Sequence, residues 1–276
     1  MIDRLSIANW QIQHASLSSD ELYLEQDLVI SRALVDLYNH PVIKKELALR
    51  GGTALQKCFF SKPTRYSEDL DFVQIRQAPI GPILDAVREA LDGWLDKPNV
   101  KIAHGRATLF YHFGDPGNGV IRFKVEINTR EHYNFLELTK KKFAVNSPWY
   151  IGACEIVTYQ LEELLGTKMR ALFQRKKGRD LFDMARAIET LPVNVEKILH
   201  CFNKYLEHQG LKISRAEFEA NLFNKRNMQD FRRDMEILLP SITNFRFDYD
   251  FELVMRKIIA KLPGEQWKCT VISGFF

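Results

Sequence analysis

Ser67-Glu68-Asp69-Leu70-Asp71-Phe72 is the stretch on which the reading of this chain turns. Side chains of a strand alternate between its faces, so Asp69 and Asp71 point one way and Leu70 and Phe72 the other. The apolar face is expected to pack. The acidic face then presents two carboxylates side by side, spaced for one or two hard divalent cations. An isolated Asp-x-Asp is also compatible with a solvated edge or a turn. About fifteen residues upstream stands Gly51-Gly52-Thr53. Two glycines before a small hydroxyl residue make a turn whose amides can approach a phosphate closely. The bland alternative is a helix-capping turn with Thr53 as the N-cap of a following helix, itself a natural anion site. Together the two stretches suit chemistry on a nucleoside triphosphate with Mg²⁺.

A third carboxylate is expected at Glu126. In the segment from Val120 to Asn128, residues Arg122, Lys124, Glu126 and Asn128 share one face, and Ile121, Phe123, Val125 and Ile127 the other. Three carboxylates from neighbouring strands match a two-metal site, with Asp69, Asp71 and Glu126 as ligands. The alternative for Glu126 is a cross-strand ion pair with Lys124 or Arg122. A third signal is KMRALFQRKKGRDLFD, Lys168 to Asp183. Lys168, Arg175 and Arg179 lie near one face of a straight helix, which Gly178 is expected to break. Opposite a carboxylate site these cations would neutralise triphosphate charge. Alone they read as a solvated basic face, with Asp180 and Asp183 as helix-capping residues.

The chain has 276 residues, 46% of them hydrophobic, enough for a sizeable core and, by length, two lobes. The formal net charge of +4 permits a nucleic-acid partner without demanding one. Cys58, Cys154, Cys201 and Cys269 form no CxxC pair, which points to free thiols rather than to a zinc site or disulfides. MIDRLSIANWQIQH has no secretion pattern, and no stretch approaches the ~18 apolar residues of a membrane span, so a cytoplasmic location without a membrane partner is expected.

Helical spacing is predicted for 20–39, with Ser18, Ser19 or Asp20 as cap, and for 41–47, 53–60 and 80–95. Strands are predicted from about Asp69 to Ile75, Val100 to Phe113 and Val120 to Asn128, with a hairpin loop at 114–119 and a further strand at 135–145. Beyond about Gly152 only helices are predicted, the first from Glu155 to Arg175. The composition shift divides the chain into an α/β lobe, residues 1–150, and an all-helical lobe, residues 151–276. The closing segment Trp267 to Phe276 carries no decisive signal.

The order and spacing of LRGGTALQK, RYSEDLDF and KMRALFQRKKGRDLFDMARAI resemble the nucleotidyltransferase toxins of the AbiEii/AbiGii type, within the DNA polymerase β-like superfamily. The match covers roughly residues 45 to 190. The resemblance implies an α+β fold: a minimal nucleotidyltransferase mixed sheet flanked by helices, with the all-helical C-terminal lobe completing the active site. It implies phosphate contacts from Gly51, Gly52 and Thr53, Mg²⁺ on Asp69 and Asp71, triphosphate contacts from Lys168 and Arg179, and Asp180 as the essential acid of the last motif. The implied reaction moves an NMP from an NTP to an acceptor, RNA or the 3′ end of tRNA, with a cognate antitoxin protein as partner. A catalytically inactive nucleotide- or RNA-binding relative and a small-molecule nucleotidyltransferase are the competing readings.

Overall fold

The computed structural model describes residues 2–14, 21–114, 120–235, 238–239 and 246–268. Helices α1 (Arg4–Gln13), α2 (Glu21–Asn39) and α3 (Pro41–Glu46) lead into strand β1 (Leu47–Arg50), helix α4 (Gly51–Cys58) and strand β2 (Leu70–Gln74). Then come α5 (Gly81–Leu91), β3 (Asn99–Ala103), β4 (Arg106–Phe113), β5 (Ile121–Asn128), β6 (Thr139–Asn146) and β7 (Ile151–Thr158). The strands form one mixed seven-stranded sheet in the order β3-β4-β5-β2-β1-β7-β6. β2 runs parallel to β5 and β1 parallel to β7, and the remaining neighbours are antiparallel.

Helix α2 explains much of the core. Leu24, Leu28, Val29, Ile30, Ala33, Leu34, Val35 and Leu37 are all buried, which places apolar residues around most of its circumference. A helix of that kind belongs inside a unit rather than on its surface. It packs against β5, β6, β7 and α5. Burying each of the Leu, Ile and Val side chains among them contributes roughly 1.5–3 kcal/mol. The Tyr38 hydroxyl at its end donates to the Val157 carbonyl at 2.8 Å, tying the helix to β7.

The register of the central strands sets the site. Arg50 on β1 pairs with Asp71 on β2, Asp71 with Glu126 on β5, and Glu126 with Thr108 on β4. Side chains paired across a ladder share a face, so a polar row of four runs across the middle of the sheet. Leu70 and Phe72 lie buried on the opposite face, as the alternation predicts.

The chain divides into two compact units within α6 (Leu161–Gln174), the first taking residues up to Leu164 and the second most of the chain from Leu165 onward. The second unit holds the rest of α6, then α7 (Gly178–Thr190), α8 (Val195–Glu207), α9 (Arg215–Arg226), α10 (Gln229–Arg233) and α11 (Phe247–Lys257). Its described residues contain no strand. Gly178 starts α7, and a Cβ there would collide with the Phe231 carbonyl oxygen and lie 3.3 Å from its carbon. Backbone cannot give way as a flexible side chain does. Gly178→Ala is therefore expected to lower stability by about 1–3 kcal/mol despite alanine's better helix propensity, read as a reduced urea midpoint of the helical unit.

Several sequence expectations are corrected. The sheet continues past residue 150, because 151–158 form β7 and pair with both β6 and β1. The helix expected from Glu155 starts at Leu161. Ile156, Val157 and Thr158 favour an extended chain, and Thr158 Oγ1 donates to the Leu49 carbonyl at 2.7 Å, fixing it against β1. The strand expected over Val100 to Phe113 is a hairpin, turned at Gly105 with φ +82°. Helix α1 and strand β1 carried no sequence signal. The strand expected over 135–145 is β6. The expected cap at 18–20, the loop at 115–119, Cys269 and the tail from 269 fall outside the described residues. Cys58, Cys154 and Cys201 are free thiols, and burial pushes the first two up to about 12. Among the described residues no helix is long and apolar enough to cross a membrane.

Candidate active site

Asp69 immediately precedes β2 and Asp71 is its second residue. Both oxygens of Asp69 are engaged by one neighbour on β5. Oδ1 accepts the Lys124 backbone N–H at 3.3 Å, and Oδ2 lies 3.2 Å from Lys124 Nζ. Burial pushes the Asp69 carboxyl above its ordinary range, with Lys124 pulling against it and the Asp71 charge adding to it. For Lys124, burial works against the charge, but Asp69, joined by Glu126 and Asp71, outweighs it and the ammonium's pKa ends raised. Two carboxylates are thus brought together in a partly desolvated place, an arrangement that a divalent cation relieves.

The glycine turn lies against this pair. Helix α4 begins at Gly51, whose φ of +76° is left-handed. A Cβ at Gly51 would stand 2.6 Å from Asp71 Oδ2, so glycine is required on both counts. The N-cap residue Arg50 makes no side-chain cap bond, and the first turn contains no acidic residue. The leading amides therefore carry no cap from the side chain of Arg50. Arg50 Nη1 is 2.6 Å from Glu131 Oε2; burial opposes its charge, but Glu131 and more weakly Asp71 hold its pKa above the usual value.

The Thr53 side chain is engaged inside the fold. It is 3% exposed, and its Oγ1 donates to the Asp69 backbone carbonyl at 2.5 Å. It braces the first carboxylate's backbone, and as the third residue of α4 it is not the N-cap. Glu126 shares the polar row but not a common ligand cluster. Its Oε2 is 3.5 Å from Arg106 Nη1 on β4, and among the described residues no three His, Cys, Asp or Glu side chains are placed to hold an ion together. The expected cross-strand pair exists, with Arg106 in place of Lys124 or Arg122. The donor chemistry of Asp69 and Asp71 fits a hard cation. The three-carboxylate set is not assembled.

In the helical unit, Lys168 and Asp180 do meet. Lys168 Nζ is 3.2 Å from Asp180 Oδ1 and 2.7 Å from Asp183 Oδ2. Lys168 is 6% exposed and both acids are fully buried. Asp180 also takes a forked pair from Arg175, Nε at 2.6 Å and Nη2 at 2.8 Å. Asp180 and Asp183 are therefore anchors of a buried ion network rather than helix caps. The acid at the start of α7 is Asp234, which accepts the Arg179 backbone N–H at 3.1 Å and the Arg179 Nε at 3.2 Å. Arg175 keeps a side chain 53% exposed and is the cation this network presents.

Sequence reasoning missed Arg50, Lys124 and Arg106 as the cations around the carboxylates, and Arg65 behind Gly52. A Cβ at Gly52 would collide with Arg65 Nη2, so the second glycine is reserved for a buried guanidinium. Lys124 and Arg50 were visible as residues, but only the register shows which acid each one faces. Ser67 Oγ, on the segment joining Arg65 to Asp69, is buried without a hydrogen-bond partner.

A search of curated proteins finds no match. Among solved structures, the MenT4 nucleotidyltransferase toxin of Mycobacterium tuberculosis H37Rv superposes with a TM-score of 0.67 at 16% identity, covering 94% of this chain and 90% of that one. JHP933 from Helicobacter pylori gives 0.49 at 16% identity, with 88% and 95% covered. A nucleotidyltransferase described from H. pylori gives 0.49 at 18%, with 89% and 100% covered. The first of these establishes the likeness of fold. Residues 32–257 match the family described as nucleotidyl transferase AbiEii toxin, type IV toxin–antitoxin system. That span takes in the glycine turn, the carboxylate pair and the Lys168–Asp180 network, and the chain belongs to the AbiEii nucleotidyltransferase toxin family.

Proposed function

We propose that this chain transfers a nucleoside monophosphate from an NTP to a hydroxyl of an RNA acceptor, with Mg²⁺ held by Asp69 and Asp71. The observation that carries this reading is the Asp71 carboxylate against Gly51, at a first turn of α4 without a side-chain cap, with Asp69 beside it. In the reaction the acceptor oxygen bonds to the α-phosphorus, the bond to the bridging oxygen breaks, and pyrophosphate leaves with that electron pair. The hydroxyl proton passes to a base. Bound Mg²⁺ supplies charge neutralisation and lowers the pKa of the attacking hydroxyl. The chain's own groups bind and orient. Amides at Gly51 and Gly52 receive phosphate oxygens, Thr53 holds the Asp69 backbone, and Arg50 adds positive charge beside Asp71. We assign the role of that base to Glu126, in the same polar row, once Arg106 releases it.

The RNA acceptor is supported by the family resemblance and a net charge of +4. The type IV toxin–antitoxin setting of the family supplies an antitoxin as the expected partner. Within the helical unit, Lys168 and Asp180 have an anchoring role, with Arg175 as the exposed arm of their network.

The test incubates purified protein with Mg²⁺, total bacterial RNA and each α-³²P NTP in turn, beside an Asp69→Ala/Asp71→Ala control. Label on RNA that disappears in the control is the expected result. Label on protein alone would replace the RNA acceptor by a protein one. No label with any nucleotide would favour a binding protein that has kept the fold. Arg175→Ala is expected to lower the thermal midpoint of the helical unit, because the fully buried Asp180 loses its forked charge-assisted pair; an unchanged melt would remove Arg175 from the network.

A further inference from the structure

Strand β4 departs from alternation on the face of the sheet that carries the carboxylates. Ala107, Leu109 and Tyr111 are buried on the other face, where Phe113 and Val100 of β3 also pack on the core. The carboxylate face holds Arg106, Thr108, Phe110 and His112. Where the alternation calls for another polar residue stands a half-buried phenyl ring. Register sets Phe110 opposite Lys124 on β5, and Lys124 is the cation on Asp69. The ring is thus two strand spacings, roughly 10 Å, from that carboxylate. On its outer side Phe110 pairs with Asn99 of the edge strand β3, and Lys101 Nζ stands 5.4 Å from the ring centroid. The charge on this face is one-sided. Strands β3, β4 and β5 carry Lys101, Arg106, Arg122 and Lys124 against a single acid, Glu126. Arg106 is 3.5 Å from that acid, and Lys124 is taken by Asp69. Lys101 and Arg122 are exposed, and among the described residues neither joins an ion pair.

We infer that this face seats the unpaired 3′ end of the RNA acceptor, with a base stacked on Phe110 and the backbone held by Lys101 and Arg122. This rests on the RNA-acceptor reading given above and says how the acceptor is held. Every base has a π-face, so a ring among cations takes single strands whatever their sequence. In a duplex the bases are stacked on one another, and recognition falls on phosphates and 2′-hydroxyls. The ring therefore favours a splayed end over a helix. An acidic peptide would satisfy the cations but leave the ring unused. The Lys101 contact alone explains less, because a cation–π pair at an exposed lysine is worth little. A base on Phe110 also leaves the terminal hydroxyl within reach of the carboxylate pair, two strands away.

The experiment measures binding of a fluorescein-labelled, mixed-sequence, single-stranded oligoribonucleotide with a free 3′ hydroxyl, by anisotropy at several salt concentrations. Wild type, Phe110→Ala, Phe110→Trp and Lys101→Ala are compared as intact chains, each with a thermal melt and the α-³²P labelling assay. Phe110→Ala is expected to bind about tenfold or more weakly, with an unchanged salt slope because no charge is lost. Phe110→Trp is expected to bind as tightly as wild type. Lys101→Ala is expected to lower the salt slope by about one. A blunt-ended duplex of the same sequence is expected to bind Phe110→Ala and wild type alike. Should Phe110→Ala fail to fold, Phe110→Leu, which keeps the bulk and loses the aromatic face, is expected to show the same loss. Unchanged affinity in folded Phe110→Ala protein, while wild type binds and labels RNA, would overturn the role of the face alone. Poly-L-glutamate bound as tightly as the oligonucleotide, with Phe110→Ala changing neither, would give the face to an acidic protein and overturn the inference. Wild type that neither binds nor labels RNA would overturn the RNA-acceptor reading, and the face with it.

Discussion

Asp71→Asn is expected to remove nucleotidyl transfer while leaving the protein as stable as wild type or slightly more so. The loss follows from the ligand role. A carboxamide is neutral and a poor ligand for a hard cation, and charge stabilisation by a bound metal is worth several kcal/mol. At 1.36 kcal/mol per factor of ten, that is roughly a thousandfold or more in rate. The stability half follows from the neighbours. Asp71 lies beside Asp69, whose carboxyl is already pushed up by burial and by the Asp71 charge. Taking away one of two adjacent like charges relieves that repulsion, and the isosteric amide still fits the space that Gly51 leaves open. The check is paired: initial rates of labelled-nucleotide transfer and a urea unfolding curve on the same preparation. Full activity in the folded variant would remove Asp71 from the site. Lost activity with a stability drop of several kcal/mol would make it a structural residue.

What could be read from the sequence was what depends on local alternation and spacing. The Asp69–Phe72 alternation predicts a strand with an acidic and a buried face, and β2 has both. Gly51-Gly52 predicts a turn entering a helix, and α4 starts there. The order of the three motifs carries the family. What was not legible depends on the partner strand. Whether Glu126 joins the aspartates is decided by Arg106 on β4, a cross-strand neighbour twenty residues away, and no periodicity within β5 announces it. Arg50 sits in a four-residue strand buried in the sheet, where alternation has no water-facing side to reveal itself. The misplaced boundary near residue 150 has a similar cause. β7 is a short apolar run next to a strongly periodic helix, and the helical period reads back into it. The Arg-Asp motif singled out Asp180, but not as an anchor of buried ion pairs, because burial is a tertiary property.

Asp27→Ala is expected to destabilise the sheet unit by about 3–5 kcal/mol, the largest stability effect we foresee from one substitution. Lys57 Nζ lies 2.7 Å from both Asp27 oxygens and donates to Ser31 Oγ at 3.0 Å, and Trp10 Nε1 donates to Asp27 Oδ2 at 3.1 Å. The side chains of the pair are 3% and 1% exposed. Without Asp27 a buried ammonium keeps only a hydroxyl, and the indole N–H loses its acceptor. Against a total folding stability of about 5–15 kcal/mol, that is a large fraction. The pair does more than add stability. Lys57 belongs to α4, Asp27 to α2 and Trp10 to α1, so one carboxylate fixes the helix whose first turn carries Gly51 and Gly52. An eight-residue helix has little stability of its own, and its direction is set by what holds its far end. The double variant Asp27→Leu/Lys57→Met removes both charges and is expected to recover most of the lost stability, since apolar groups of similar volume commonly replace a buried ion pair at little cost. Urea unfolding followed by tryptophan fluorescence reads both, because Trp10 lies in the pair itself. If the double variant is stable yet transfers nucleotide more slowly than wild type, the ion pair serves to aim α4. If it is stable and fully active, apolar packing of α4 aims it equally well. If Asp27→Ala costs under about 1 kcal/mol, the pair is solvated in solution and does not pin the helix.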